Sequence, residues 1–237
     1  MAKSFKANPG LKFNIELNDE QVKAEKFIRR KDVTIIEGKA GTGKTLVAVK
    51  YALDQLHQKE IDQIVITRPT VTAAEDLGFL PGEMEDKVEP FLIPVYDNFC
   101  KVFEEKNTKG ENVVDQLLSD DKLIIAPVAF MRGRTFERAA IILDEAQNMT
   151  REQMKMAITR IGKGSKMIVC GDLLQCDLNY KKDSGMRLLS DVYNRQMVSG
   201  LDKYTLTKNH RLGIVGEFLT AFDVLAEEQE KEVPFSM

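Results

Sequence analysis

The feature that most constrains this chain is the string Gly38-Lys-Ala-Gly-Thr-Gly-Lys-Thr45, which follows the β-branched run Val33-Thr-Ile-Ile-Glu37. It matches G-x-x-x-x-G-K-[ST] in full and sits where that motif belongs, after a strand and at the opening of a helix. The glycines let successive backbone N–H groups turn inward around phosphate oxygens, and the helix N-terminus adds a favourable dipole. Gly38, Lys39, Ala40, Gly41, Thr42, Gly43, Lys44 and Thr45 are therefore expected to bind a nucleotide. Lys44 would reach the β and γ phosphates, and the Thr45 hydroxyl would face Mg²⁺. The plain alternative is a glycine-rich turn with a surface lysine, which the flanking strand and helix disfavour.

A chain built around such a loop needs a parallel sheet, and the rest of the sequence supplies one. Ile64-Val-Ile-Thr67, Leu123-Ile-Ile-Ala126, Ala140-Ile-Ile-Leu143 and Met167-Ile-Val-Cys170 read as further strands, with Tyr204-Thr-Leu-Thr207 a weaker sixth. Between them, Thr45 to Gln58 carries apolar residues at helical spacing, and Thr150-Arg-Glu-Gln153 is a capping box opening a helix to about Ile161. Continuous apolar strands alternating with helices indicate an α/β fold, a parallel sheet with helices on both faces. Residues 83–121 show helical spacing and little strand signal and read as a helical insertion, with 107–112 as an exposed loop. The 237 residues are expected to form a single domain, 1–237.

Composition narrows the function classes. With 43% hydrophobic and 30% charged residues the chain is too apolar to be disordered. Its longest apolar stretch, 123–131, is about half of a membrane span, and the N-terminal residues do not fit a secretory signal. Three unclustered cysteines and two histidines, His57 and His210, leave no material for a disulfide framework, a thiolate zinc site or a histidine-based triad. A cytoplasmic protein with no membrane partner is expected. The net charge of −3 conceals an asymmetry: residues 122–211 carry +7, between flanks of −5 each. A basic centre of this kind suits a polyanion such as nucleic acid, although a solvated lysine-rich surface would look the same.

The second half of the chemistry is Ala140-Ile-Ile-Leu-Asp-Glu-Ala-Gln147. Its four apolar residues bury a strand and deliver Asp144 and Glu145 at the C-terminal end, where open parallel sheets bind ligands. Asp144 can hold Mg²⁺, and Glu145 can orient and polarise an attacking water. Gln175, in Gly171-Asp-Leu-Leu-Gln175 after the fifth strand, could bond the γ-phosphate or the water; the alternative is a polar turn residue.

Taken together, these motifs resemble superfamily-one helicase-like ATPases and, more closely, the PhoH-like family of phosphate-starvation-inducible ATPases. The resemblance rests on Ile66-Thr-Arg-Pro69, Leu77-Gly-Phe-Leu-Pro-Gly82, Met131-Arg-Gly-Arg-Thr135, Asp144-Glu-Ala-Gln147, Glu152-Gln-Met-Lys-Met156 and residues 161–167, and it spans roughly 16–225. It implies a single RecA-like P-loop NTPase domain with ATP and Mg²⁺ as cofactors, in which the strand after the Asp-Glu strand lies between it and the P-loop strand. It further implies RNA or single-stranded nucleic acid as substrate, and a homo-oligomer, with a hexameric ring favoured. By the match of Leu17-Asn-Asp-Glu-Gln21 to the helicase glutamine motif, Gln21 would read the adenine edge.

Leu206-Thr-Lys-Asn-His-Arg211 resembles the helicase motif whose arginine touches the γ-phosphate. Arg211 is thus the first candidate for that role, with Arg132 and Arg134 as rivals. Thr67, Arg68, Arg132 and Arg134 are candidate nucleic-acid contacts, though Arg68 could instead pair with an acidic neighbour such as Glu75. Ile93 and Leu174 stand where the family pattern has Arg and Thr. Two functions follow: an ATP-driven nucleic-acid remodeller, or an ATPase switch acting on a protein partner.

Overall fold

Strand residues alternate between two apolar layers, which is what a sheet covered on both faces requires. Ile36, Ile64, Ile66, Ala140, Ile142, Ile168 and Cys170 point into one core layer. Their neighbours Ile35, Val65, Ile141, Leu143, Met167 and Val169 point into the other. In this computed structural model the described residues are 16–69, 93, 95–97, 99–100, 110–178, 180–210, 213–214, 216–218, 221–222 and 224–225. The strands are β1 (Val33–Gly38), β2 (Gln63–Arg68), β3 (Leu123–Pro127), β4 (Ala139–Leu143), β5 (Lys166–Gly171) and β6 (Leu201–Leu206). They form one six-stranded sheet in the order β3-β2-β4-β5-β1-β6. Every neighbouring pair is parallel, so all strand C-termini share one edge. As expected, β5 lies between β4 and β1.

The helices are α1 (Asp19–Arg30), α2 (Lys44–His57), α3 (Gly110–Ser119), α4 (Arg151–Ile158) and α5 (Gly185–Asn194). Buried residues of α1, α2 and α3 join the first core layer, and those of α4 and α5 the second. Both α1 and α4 begin with a complete capping box, from Asn18 and Gln21 and from Thr150 and Gln153. Among the described residues no helix is long and apolar enough to cross a membrane.

Several boundaries differ from the sequence expectation, each for a physical reason. Helix α3 starts at Gly110, inside the stretch expected to be a loop. Burial of Val114 and Leu117 against the first layer outweighs the polar look of its first turn. Val95 and Phe99 enter the same layer, so the described part of 83–121 is sheet cover as well as insertion. Helix α4 stops at Ile158 rather than Ile161, because Ile161 bridges Phe136 and Gly162 donates its N–H to the Phe136 carbonyl (2.8 Å). A Cβ on Gly162 would lie 2.5 Å from that oxygen. Strand β6 begins at Leu201, whose buried side chain anchors it. Helix α5 adds to the expected elements; its local signal is Ser184, whose hydroxyl accepts the Arg187 N–H, ahead of Met186 and Leu189.

The start of β4 depends on one buried hydroxyl. Ser165 Oγ accepts the Ala139 N–H (2.9 Å) and donates to the Phe136 carbonyl (2.7 Å). Ser165→Ala leaves the Ala139 N–H unpaired in the interior, while the Phe136 carbonyl keeps the bond from Gly162. Denaturant unfolding should show a loss of about 1–3 kcal/mol, whereas unchanged stability would mean the hydroxyl is dispensable.

Candidate active site

The phosphate loop is shaped by three glycines. A Cβ on Gly38 would sit 2.6 Å from the Leu206 carbonyl oxygen, so the end of β1 accepts no side chain. Gly41 (φ 86°) and Gly43 (φ 84°) adopt the left-handed conformation that turns the chain into α2. Gly43 is the N-cap of α2 and supplies no side-chain cap, so the first N–H groups of the helix face the loop's concavity. Lys44 Nζ reaches back across the loop to the carbonyls of Gly38 (2.7 Å) and Lys39 (3.1 Å). The Thr42 hydroxyl is buried and donates to the Lys39 carbonyl (2.9 Å), closing the loop on itself.

Thr45 and Asp144 meet although they are 99 residues apart: Thr45 Oγ1 donates to Asp144 Oδ1 at 2.6 Å. Asp144 is only 4% exposed. Burial raises its carboxyl above the ordinary range; the Thr45 hydrogen bond opposes this, neighbouring Glu145 adds to it, and Arg68 and Lys44 pull it back. A near-buried carboxylate beside a hydroxyl is a hard-oxygen pair that fits Mg²⁺, which takes one or two protein oxygens and completes its shell with phosphate and water. Among the described residues no group of three or more His, Cys, Asp or Glu gathers to hold a metal by itself.

Glu145 follows at φ 50°, a left-handed backbone that is uncommon for a residue with a side chain. Arg68 Nη2, from the end of β2, lies 3.5 Å from its Oε1, and Gln147 Nε2 donates to its Oε2 at 2.7 Å. Gln147 is buried and fixed by the turn after β5: its Oε1 accepts Asp172 N–H (3.0 Å), and its Nε2 also reaches the Gln175 carbonyl (3.3 Å). Gln147 was thus missed as a site residue, though it stands inside the quoted Asp-Glu-Ala-Gln string. Gln175 is exposed in a short turn after β5, between the ends of β1 and β4.

The remaining expected residues divide sharply. Gln21 is buried against the phosphate loop; its Nε2 donates to the Thr42 carbonyl (3.3 Å), and its Oε1 accepts Asn18 N–H (3.1 Å) as half of the capping box. Both ends of its amide therefore already serve the loop and α1. Thr67 is 1% exposed, so its hydroxyl is not offered to a bound strand; its carbonyl instead accepts Asp144 N–H (2.8 Å). The strand's alternation turns Thr67 inward, and Arg68 is the residue that emerges. Glu75 lies outside the described residues, and the partner found for Arg68 is Glu145.

Arg132 and Arg134 are exposed, on the connection from β3 to β4, with Arg134 stacked over Phe136 (4.9 Å). Phe136 belongs to the layer opposite α2, and no described contact brings either arginine to the phosphate loop. Arg211 lies outside the described residues, but the segment leading to it is docked on the loop: His210 N–H bonds the Gly41 carbonyl (3.0 Å), and Asn18 Nδ2 meets His210 Nε2 (2.6 Å).

Glu20 completes this clasp. Its carboxylate accepts the Thr207 hydroxyl, the Thr207 N–H (3.0 Å) and the Lys208 N–H (2.9 Å). These hydrogen bonds, the Thr207 hydroxyl first, lower its pKa from 4.5 to about 2. The folded-state value lies below the unfolded one, so the contribution is complete above about pH 4.5 and disappears as the pH falls towards 2. The stability gap between wild type and Glu20→Gln should be full at pH 7 and mostly gone near pH 2.5 in urea titrations. A gap independent of pH would show that the carboxylate charge is not what holds the segment.

Residues 15–223 match the PhoH family, described as PhoH-like protein. The chain is 46% identical over 168 residues to a PhoH-like protein of Synechocystis sp., covering 70% of this chain and 49% of that one. It is 40% identical over 203 residues to a PhoH-like protein of Bacillus subtilis, covering 86% of this chain and 60% of the relative. It thus spans about half to three fifths of the length of these curated relatives. Among solved structures, the Pyrococcus furiosus Hef helicase domain aligns at 14% identity with a TM-score of 0.46, over 78% of this chain and 37% of that one. With the family matched across most of its length, the chain belongs to the PhoH-like family.

Proposed function

We propose that this chain is a Mg²⁺-dependent ATPase, a single RecA-like domain across 1–237 whose turnover is coupled to RNA or single-stranded nucleic acid. The observation that carries this reading is the convergence of Lys44, Thr45, Asp144 and Glu145 at the C-terminal edge of the sheet. The loop N–H groups and Lys44 bind the β and γ phosphates. Thr45 and Asp144 hold Mg²⁺, which supplies charge neutralisation to the phosphates when bound. Glu145 accepts a proton from the attacking water and orients it in line with the leaving group. Gln175 reports the state of the γ-phosphate, and its backbone tie to Gln147 carries that state to Glu145.

The basic central segment supports the nucleic-acid coupling; Arg132 and Arg134 within it, and Arg68 outside it, are its contacts. A lone RecA-like domain leaves one side of its nucleotide open. A ring, hexameric by the family resemblance, would close that side and let Arg211 act within or between subunits. An arginine suits the task because its planar fork bonds phosphate oxygens in pairs. The cytoplasm is the compartment that fits a nucleotide-driven enzyme of this composition.

Two variants separate binding from chemistry. Lys44→Ala should lose phosphate binding or turnover with its fold intact. Glu145→Gln should bind ATP with near wild-type affinity yet hydrolyse it more slowly by about 10²-fold. Turnover is measured with and without single-stranded RNA and DNA, on protein of known oligomeric state. A Lys44→Ala protein with wild-type turnover contradicts the ATP site. Turnover indifferent to every nucleic acid, with binding that lacks a salt dependence, favours the switch on a protein partner.

A further inference from the structure

Glu145, the residue meant to take a proton from water, has both carboxylate oxygens engaged. The two engagements differ in kind. Gln147 is buried and pinned by Asp172 and Gln175, so its 2.7 Å bond to Oε2 is a fixed arm. Arg68 is different. It is the last residue of β2, its side chain is 28% exposed and that of Glu145 is 36% exposed, and their 3.5 Å separation is that of a loose ion pair. Such a pair is exchangeable, because solvent screens it and a better anion can replace the carboxylate. A phosphodiester is that anion: it offers the guanidinium fork two oxygens in one plane.

We propose that Arg68 is a positioning residue that restrains Glu145, and that a backbone phosphate of a bound single strand draws Arg68 away and frees the base. The proposal rests on the nucleic-acid reading above and adds to it a route from strand to chemistry. A carboxylate hydrogen-bonded at Oε2 and ion-paired at Oε1 has a guanidinium beside the oxygen that would take the proton of the attacking water. When Arg68 turns to a phosphate, Oε1 is released while Gln147 still holds Oε2, so Glu145 keeps its position and regains its acceptor. The geometry brings the two side chains together, since β2 and β4 are adjacent and Thr67 pairs with Leu143, one residue before Arg68 and two before Glu145. The strand phosphate on Arg68 also faces Glu145 as a like charge and disfavours return of the pair.

The test compares wild type, Arg68→Ala and Arg68→Lys, reading kcat and KM for Mg·ATP without nucleic acid and with saturating poly(U) or oligo(dT). Arg68→Ala should raise kcat without nucleic acid by about two- to fivefold, the scale of one half-exposed ion pair. Its KM should stay within about twofold, and the added strand should no longer stimulate it. Arg68→Lys keeps a point charge without the fork and should fall between the two, which a merely structural arginine would not produce. Unchanged or reduced kcat in Arg68→Ala, with nucleotide affinity intact, overturns the restraint. A raised kcat in Arg68→Ala together with a wild type that no strand stimulates upholds the restraint and overturns release by nucleic acid. Should Arg68→Ala fail to fold, Arg68→Gln and Arg68→Lys carry the same comparison.

Discussion

The hydrogen bond from Thr45 to Asp144 joins the two halves of the site, and most of what surrounds it can be understood as its support. Each partner is delivered by a different part of the chain: Thr45 by the glycine turn into α2, Asp144 by the fully buried strand β4. They meet because a parallel sheet sends every strand's C-terminus to the same edge. The cost of the meeting is electrostatic. A carboxylate with 4% exposure is poorly solvated, and a single hydroxyl does not compensate for that. A divalent cation brought with a nucleotide would, which is the physical ground of the proposed metal site.

Two sets of lateral ties keep the loops around this bond in register. On one side, Gln147 connects Glu145 to the turn after β5, so Glu145 and Gln175 share one buried amide. On the other, Asn18, Glu20 and Gln21 at the start of α1 join the phosphate loop to the segment after β6. Asn18 is central here: its Oδ1 accepts Gln21 N–H, which leaves its Nδ2 directed at His210. A helix cap thus also serves as a strap between β6 and the loop after β1.

What could be read from the sequence was what is local. The phosphate loop is legible because its glycines, lysine and threonine lie in one short string, and β1, β2, β3 and β5 because their apolar runs end at Pro or Gly. The order of β5 between β4 and β1 came from resemblance to a known family, since spacing alone does not order strands. The long-range partners were not legible. Arg68 offers the same sequence evidence for several acidic partners, and it is the adjacency of β2 and β4 that brings Glu145 within reach of it. The burial of Thr67 and the double duty of Gln21 have the same origin: each depends on which element packs above the residue, and a motif records identity without recording that.

The pairing of Thr45 with Asp144 as a metal and nucleotide site is tested most directly by the Mg²⁺ dependence of nucleotide affinity. A fluorescent ATP analogue is titrated into wild type and Asp144→Asn, with excess Mg²⁺ and with EDTA. Wild type should bind more tightly with Mg²⁺, while Asp144→Asn should bind equally in both conditions at the wild-type EDTA affinity, because the phosphate loop remains. An Asp144→Asn protein with the full Mg²⁺ dependence of wild type would contradict the assignment.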